Sequence, residues 1–208
     1  MNRLADGGGV ELGPGWPDEV RQPEGYGLQG PMTSLAEITV QDADGADVRL
    51  GALIARPTII VVPRYYGCLP CRDYLQQVSD HLDEVEAAGA AALGISVGAA
   101  HQARWLMEEW GIRFPLLVDP ERRFYDAIDL PQRWWVGLNP RGWINYARAL
   151  ARGSRQGRIV APNQLPGLVV VDEQVRPLSI HRGRALGDYP PLDWVLAELG
   201  RASQPAPA

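Results

Sequence analysis

The chain has 208 residues, 46% of them hydrophobic and 22% charged, and a formal net charge of −5. That is enough apolar material for one domain of ordinary size, and the acidic balance argues against a protein built mainly to hold nucleic acid. All 20 basic residues are arginine, so lysine nucleophiles and lysine Schiff bases are excluded.

Residues 1–30 are rich in Gly, Pro and acidic residues without apolar periodicity, which reads as a flexible N-terminal arm with one docking contact at Trp16 or Tyr26. A single domain is expected over 31–200, followed by a loose Pro/Ala-rich tail at 201–208. The domain opens with two short strands, 35–40 and 46–50, around the turn signal Asp42-Ala43-Asp44-Gly45. Thr58-Ile59-Ile60-Val61-Val62 is an unbroken β-branched run, the pattern of a strand buried on both faces. Apolar residues then recur at Leu75, Val78, Leu82 and Val85, one face of a helix that Gly89 is placed to stop.

Between that strand and that helix lie Cys68 and Cys71, the chain's two cysteines. The first turn of a helix leaves N–H groups unpaired and carries the positive end of the dipole, so a thiol there ionises more easily. Pro70 fits the first turn because its missing N–H would be unpaired anyway. Arg64 and Arg72 flank the pair as further cations, and a second thiol one turn along can resolve a bond made by the first. The spacing therefore predicts a redox pair, with Cys68 facing solvent as the attacking thiolate and Cys71 deeper as the resolving thiol.

A zinc site would need a second pair of ligands, and His81, His101 and His181 stand far apart, so no metal and no cofactor is expected. Two cysteines this close also give no secreted-type disulfide framework, and no segment reads as a secretory signal or a membrane span. The expected compartment is reducing and cytoplasmic, with no membrane and no nucleic acid as partner.

Farther along, 91–97 reads as a second buried strand, 99–110 as a helix ended by Gly111, 114–119 as a short strand, and Asp119-Pro120-Glu121 as the cap of a helix running to Ile128. From Leu130 to Val171 there are six arginines and no acid, interleaved with Trp134, Trp135, Trp143 and Tyr146. Residues 131–164 are read as an Arg/Trp-rich helical lid near the thiols. Its arginines would pair with acids of the cysteine helix such as Asp73, Asp80, Asp83, Glu84 or Glu86, and would attract an anionic or bulky substrate. A strand at 167–171, a hairpin return at 178–181 and a helix at 191–199 complete the order. Buried strands alternating with helices imply parallel crossovers, and the late hairpin makes the sheet mixed. The expected architecture is α/β with a thioredoxin-like outline: a mixed sheet flanked by helices, an N-terminal hairpin and the helical insert.

Over about residues 33–200 the chain resembles the peroxiredoxin-like branch of the alkyl hydroperoxide reductase/thiol-specific antioxidant family. The resemblance rests on Arg64-Tyr65-Tyr66-Gly67-Cys68-Leu69-Pro70-Cys71-Arg72, Leu93-Gly94-Ile95-Ser96, Phe114 through Arg122, Arg155-Gln156-Gly157, Gln164-Leu165-Pro166-Gly167, His181-Arg182 and Gly187-Asp188. It implies a thioredoxin-like fold and a thiol-dependent oxidoreductase acting on a peroxide or a disulfide, recycled by an external thiol reductant such as a thioredoxin-type donor. It also implies a cis Leu165–Pro166 bond beside the cysteines.

The pattern departs from typical peroxiredoxins in one respect. They carry a Pro seven residues and a Thr three residues before the peroxidatic cysteine. Counted from Cys71 those positions hold Arg64 and Cys68, and counted from Cys68 they hold Val61 and Tyr65. The resemblance therefore brings no peroxide-binding hydroxyl to this chain, and Cys71 also aligns with a peroxidatic position.

Two other classes compete. Gly94-Ile95-Ser96-Val97-Gly98 matches the nucleophile elbow of a serine hydrolase, with Asp119 or Asp172 and then His181 following in order. A redox-inert thioredoxin-like binding module is the other alternative.

Overall fold

The computed structural model describes residues 34–202, with side chains through 199. The expected arm at 1–30, with its contact at Trp16 or Tyr26, lies outside the described residues, as does the tail from 203.

The strands are β1 (Thr39–Gln41), β2 (Asp47–Arg49), β3 (Thr58–Val62), β4 (Ala91–Ser96), β5 (Leu116–Val118), β6 (Gly167–Val171) and β7 (Pro177–Arg182). They form one sheet in the order β2-β1-β5-β4-β3-β6-β7. β4 runs parallel to both β3 and β5, whereas β6 is antiparallel to β3 and β7, and β1 is antiparallel to β2 and β5. The expected mixed sheet flanked by helices is what forms.

The uninterrupted apolar run in β3 has the predicted cause. Ile59 and Val61 face one layer with Leu75, Val78, Leu106 and Val195, while Ile60 and Val62 face the other with Leu50, Phe124, Tyr125 and Ile128. Successive side chains point to opposite faces of a strand, so a strand covered on both sides has no position for a polar residue. The helices are α1 (Leu50–Leu53), α2 (Leu69–Asp80), α3 (Leu82–Ala87), α4 (Ala100–Trp110), α5 (Arg123–Ala127), α6 (Pro140–Ala151) and α7 (Leu192–Ala202).

Three local expectations are corrected. Leu35–Glu37 is a single 3-10 turn rather than strand, leaving a hairpin of three residues a side around the turn in which Asp42 Oδ1 accepts the N–H groups of Asp44 and Ala46. The cysteine helix does not run unbroken to Gly89: His81 adopts φ −102°, ψ 17°, and the chain restarts as α3. The imidazole Nδ1 of His81 lies 2.9 Å from the Gln77 carbonyl, which also accepts the His81 N–H, and this local bonding competes with a continuous ladder. The last helix reaches Ala202 rather than 199.

Asp119 links the end of β5 to the start of α5. Its backbone N–H continues the β4–β5 pairing to Ser96, and its carboxylate accepts the N–H groups of Arg123 (3.0 Å) and Phe124 (2.8 Å), starting the helix. Burial pushes its pKa up while these N–H groups pull the other way. Asp119→Ala leaves the buried Phe124 N–H unpaired and releases the more exposed Arg123 N–H, and should lower stability by about 1–2 kcal/mol. The expected readout is a lower urea midpoint with an unchanged m-value.

Candidate thiol site

Every residue from Thr58 to Leu75 is buried, so the strand end, the cysteine loop and the first turns of α2 are all removed from water. Cys68 is the N-cap of α2, with extended backbone (φ −71°, ψ 119°), and its carbonyl accepts the Arg72 N–H at 2.9 Å. Cys68 and Cys71 are joined as a disulfide with their Cα atoms 5.2 Å apart. The expectation that Cys68 faces solvent is corrected: it is 1% exposed and Cys71 is 0% exposed.

The reason lies in the insert. Residues 131–164 leave and return at one neck, where Gln132 bridges Gln164 and the Arg133 N–H donates to the Asn163 carbonyl at 2.7 Å. Between these ends, α6 docks on α2, and the returning limb crosses the cysteine loop. The Gly157 N–H donates to the Gly67 carbonyl at 2.8 Å. Gln156 accepts from the Leu69 N–H (3.2 Å) and donates to Gly67 O (2.7 Å), and Tyr146 of α6 donates to Gln156 at 2.7 Å. Ala161, Val97 and Tyr189 pack against the cluster of Tyr65, Cys68 and Cys71. Of the acids offered by the cysteine helix, the insert's arginines use Asp73, which accepts from Arg152 through both carboxylate oxygens. Asp83 instead pairs with Arg113.

The two flanking arginines divide their roles. Arg64 is buried, donates from Nε to Gln164 O at 2.5 Å and from a terminal nitrogen to Pro162 O, and places its other terminal nitrogen 3.9 Å from Cys68 Sγ. Burial lowers its pKa from the ordinary arginine value. Among the described residues no carboxylate pairs with it. Arg72 makes no hydrogen bond to either sulfur. It donates to Tyr66 O (2.5 Å) and Arg155 O (3.0 Å), and lies over the rings of Trp105 and Trp110, so it binds the returning limb to the loop.

Pro166 is buried and sits just before β6, and its carbonyl accepts the Gly183 N–H at 2.9 Å. The expected cis Leu165–Pro166 bond is corrected: the peptide is trans. Trans remains the lower-energy form of an X–Pro bond, and a trans proline just ahead of a strand costs the sheet no donor it needs.

The hydrolase constellation does not assemble. Ser96 is fully buried in β4 and donates to the neighbouring Val97 carbonyl. His181 stands on β7 with Nε2 at 3.1 Å from Asp188 O, three strand positions away in the sheet, or about 14 Å at ordinary strand spacing. Asp119 is committed to α5, and Asp172 to Arg176.

A family model described as the AhpC/TSA family matches residues 32–175. The chain belongs to the AhpC/TSA family. The match ends before β7 and α7, short of the 200 expected from the motifs. Among curated proteins, human Peroxiredoxin-like 2C is 26% identical over 198 residues, covering 87% of this chain and 86% of its own length. The Arabidopsis thaliana Thioredoxin-like protein AAED1, chloroplastic, is 23% identical over 179 residues, covering 81% and 72%.

Among solved structures, Peroxidoxin BcpB from Mycobacterium tuberculosis superposes with a TM-score of 0.61 at 17% identity, over 83% of this chain and 96% of that one. A mutant of Xanthomonas campestris Peroxiredoxin Q gives 0.62 at 15% identity, over 82% and 94%. These neighbours share the fold expected from the element order. Family membership and the Cys68–Cys71 disulfide make this chain a thiol-dependent oxidoreductase of peroxides or disulfides.

Sequence reasoning did not single out Gln156, Gln164 and Tyr125 as individual residues. Gln156 and Gln164 lie inside motifs quoted for the resemblance, and that was the available signal. Tyr125, whose hydroxyl donates to Pro63 O at the end of β3, carried none.

Gly67 is where loop and limb approach most closely. A Cβ there would overlap the Arg158 carbonyl oxygen, a backbone atom that cannot swing aside. Gly67→Ala should lift the 155–162 limb off the disulfide. Reduction by dithiothreitol is then expected to accelerate by at least about tenfold, and limited proteolysis to begin cutting within the limb. An unchanged reduction rate would show that the limb does not control access.

Proposed function

We propose that Cys68 and Cys71 form a cycling dithiol in which Cys68 attacks and Cys71 resolves. The observation that carries this is the Arg64 guanidinium 3.9 Å from Cys68 Sγ, buried without a carboxylate partner among the described residues. Reduction creates an anion where a buried cation lacks one. At that distance the attraction is on the order of 4 kcal/mol at an effective dielectric constant of 20, before desolvation of the thiolate is subtracted. The α2 N-terminus adds to the same preference.

In the disulfide reaction, the Cys68 thiolate attacks a substrate sulfur and releases the other as a thiolate. The Cys71 thiol, losing its proton, then attacks Cys68 Sγ and frees the second substrate thiol. In the peroxide reaction, Cys68 takes one oxygen to become a sulfenic acid and an alcohol or water leaves. Cys71 then condenses with the sulfenic acid and releases water. Both end in the Cys68–Cys71 disulfide, which an external dithiol of thioredoxin type returns to two thiols at the expense of its own oxidation. Disulfide exchange is the better supported of the two, since neither cysteine has the Thr that usually positions a peroxide. The exposed Arg141, Arg148 and Trp143 of α6 are the groups an anionic or bulky substrate would meet on approach. A reducing, cytoplasm-like compartment suits a chain with two cysteines placed for cycling.

Mass spectrometry after one equivalent of oxidant tests the roles. Cys71→Ser should accumulate a mixed disulfide or sulfenic acid on Cys68, and Cys68→Ser should remain unmodified. Modification of the Cys68→Ser protein instead would reverse the assignment, and inertness of both would remove the redox reading.

A further inference from the structure

Among the described residues one buried side-chain polar atom lacks a hydrogen-bond partner: the hydroxyl oxygen of Tyr189. A donor left unpaired in this way bears an uncompensated desolvation cost, and phenylalanine of nearly the same shape would avoid that cost. The ring is held firmly. It stacks on Tyr74 of α2 with centroids 4.2 Å apart and planes 7° from parallel, and it packs against the cluster of Tyr65, Cys68 and Cys71. Its loop is wedged against the helix start, where a Cβ on Gly187 would lie 2.6 Å from Pro70 Cβ. The ionisable groups around the hydroxyl are Arg64, Tyr74 and Tyr125, and burial raises its pKa well above the ordinary tyrosine value, so it remains a donor at neutral pH. A disulfide sulfur is a poor acceptor, whereas a thiolate accepts a strong, charge-assisted bond.

We propose that the Tyr189 hydroxyl donates a hydrogen bond to the thiolate formed when the Cys68–Cys71 disulfide is reduced. This rests on the redox reading of the pair. Reduction by a dithiol gives one Cys thiolate, one Cys thiol, a proton and the oxidised reductant, and Tyr189 keeps its own proton throughout. The group with no partner among the described residues of the oxidised protein thereby gains one in the reduced protein, and the energy difference favours the reduced state. The tyrosine hydroxyl thus supplies from β7's exit loop a donor that the residues preceding either cysteine do not provide.

Tyr189→Phe tests this in two redox states. The oxidised variant should melt at or slightly above the wild-type temperature, because it loses only an unpaired hydroxyl. In the reduced variant, the pH midpoint for iodoacetamide alkylation should move upward. Equilibration with dithiothreitol should shift about tenfold toward the disulfide, the size expected of one hydrogen bond to a charged acceptor. In wild-type protein carrying a 13Cζ-labelled Tyr189, that resonance should move on reduction. An unchanged equilibrium and alkylation profile, a static resonance, or an equal loss of stability in both states would each overturn the proposal. A wild-type protein whose thiols cycle while Tyr189→Phe matches it would refute only the role of Tyr189; one whose thiols do not cycle would refute the redox reading and this proposal with it.

Discussion

A guanidinium carried out of water is tolerated only where its N–H groups find acceptors, and the position of Arg64 organises the protein around that requirement. It lies just past the end of β3, so the strand delivers it into the interior beside Cys68. The acceptors it finds are the carbonyls of Gln164 and Pro162, some hundred residues later in the chain. The returning limb of the insert must therefore lie across the cysteine loop. Gln156, Gly157 and Arg72 then fasten the rest of the limb to Gly67, Leu69 and Tyr66. Arg152 gripping Asp73 sets α6 against α2 at the other end.

That closure gives the site its character in the oxidised state. The disulfide is sealed beneath backbone from a distant segment, and the cation beside it is satisfied by neutral acceptors alone among the described residues. In the proposed cycle a Cys68 thiolate meets the buried Arg64 cation, a pairing that would bias the oxidation state more than add net stability. The bonds from Gln156 and Gly157 are neutral and each worth about 1 kcal/mol, whereas those from Arg64 and Arg72 to backbone carbonyls are charge-assisted and stronger.

The arrangement of the sheet also explains why the competing chemistry fails. Ser96 sits in a sequence pattern that suits an elbow, but β4 is central and its end is covered by Tyr125, whose hydroxyl accepts the Val97 N–H at 3.3 Å. His181 belongs to the far side of the sheet. A nucleophile, base and acid spread over strands three positions apart share no pocket.

Much of this was legible in the chain itself, because it depends on local pattern. The β-branched run of β3, the Asp119 cap and the six arginines of 131–164 without an acid are all properties of short windows, and each produced the element or charge balance it suggested, while the helical spacing after the cysteines produced helix in two segments rather than one. The Cys-Leu-Pro-Cys spacing fixed the chemistry for the same reason: two thiols one helical turn apart come within bonding reach wherever the helix goes. What the windows could not contain was burial and direction. Cys68 at a helix start reads as exposed until residues 155–162 cover it. Arg64 and Arg72 read alike until one meets sulfur and carbonyls and the other meets two tryptophans. Pro166 keeps the trans bond that the strand it precedes accepts. The partner of Asp73, the neck between Gln132 and Gln164 and the unpaired hydroxyl of Tyr189 all depend on segments far apart in sequence, and only the packed structure decides where such segments meet.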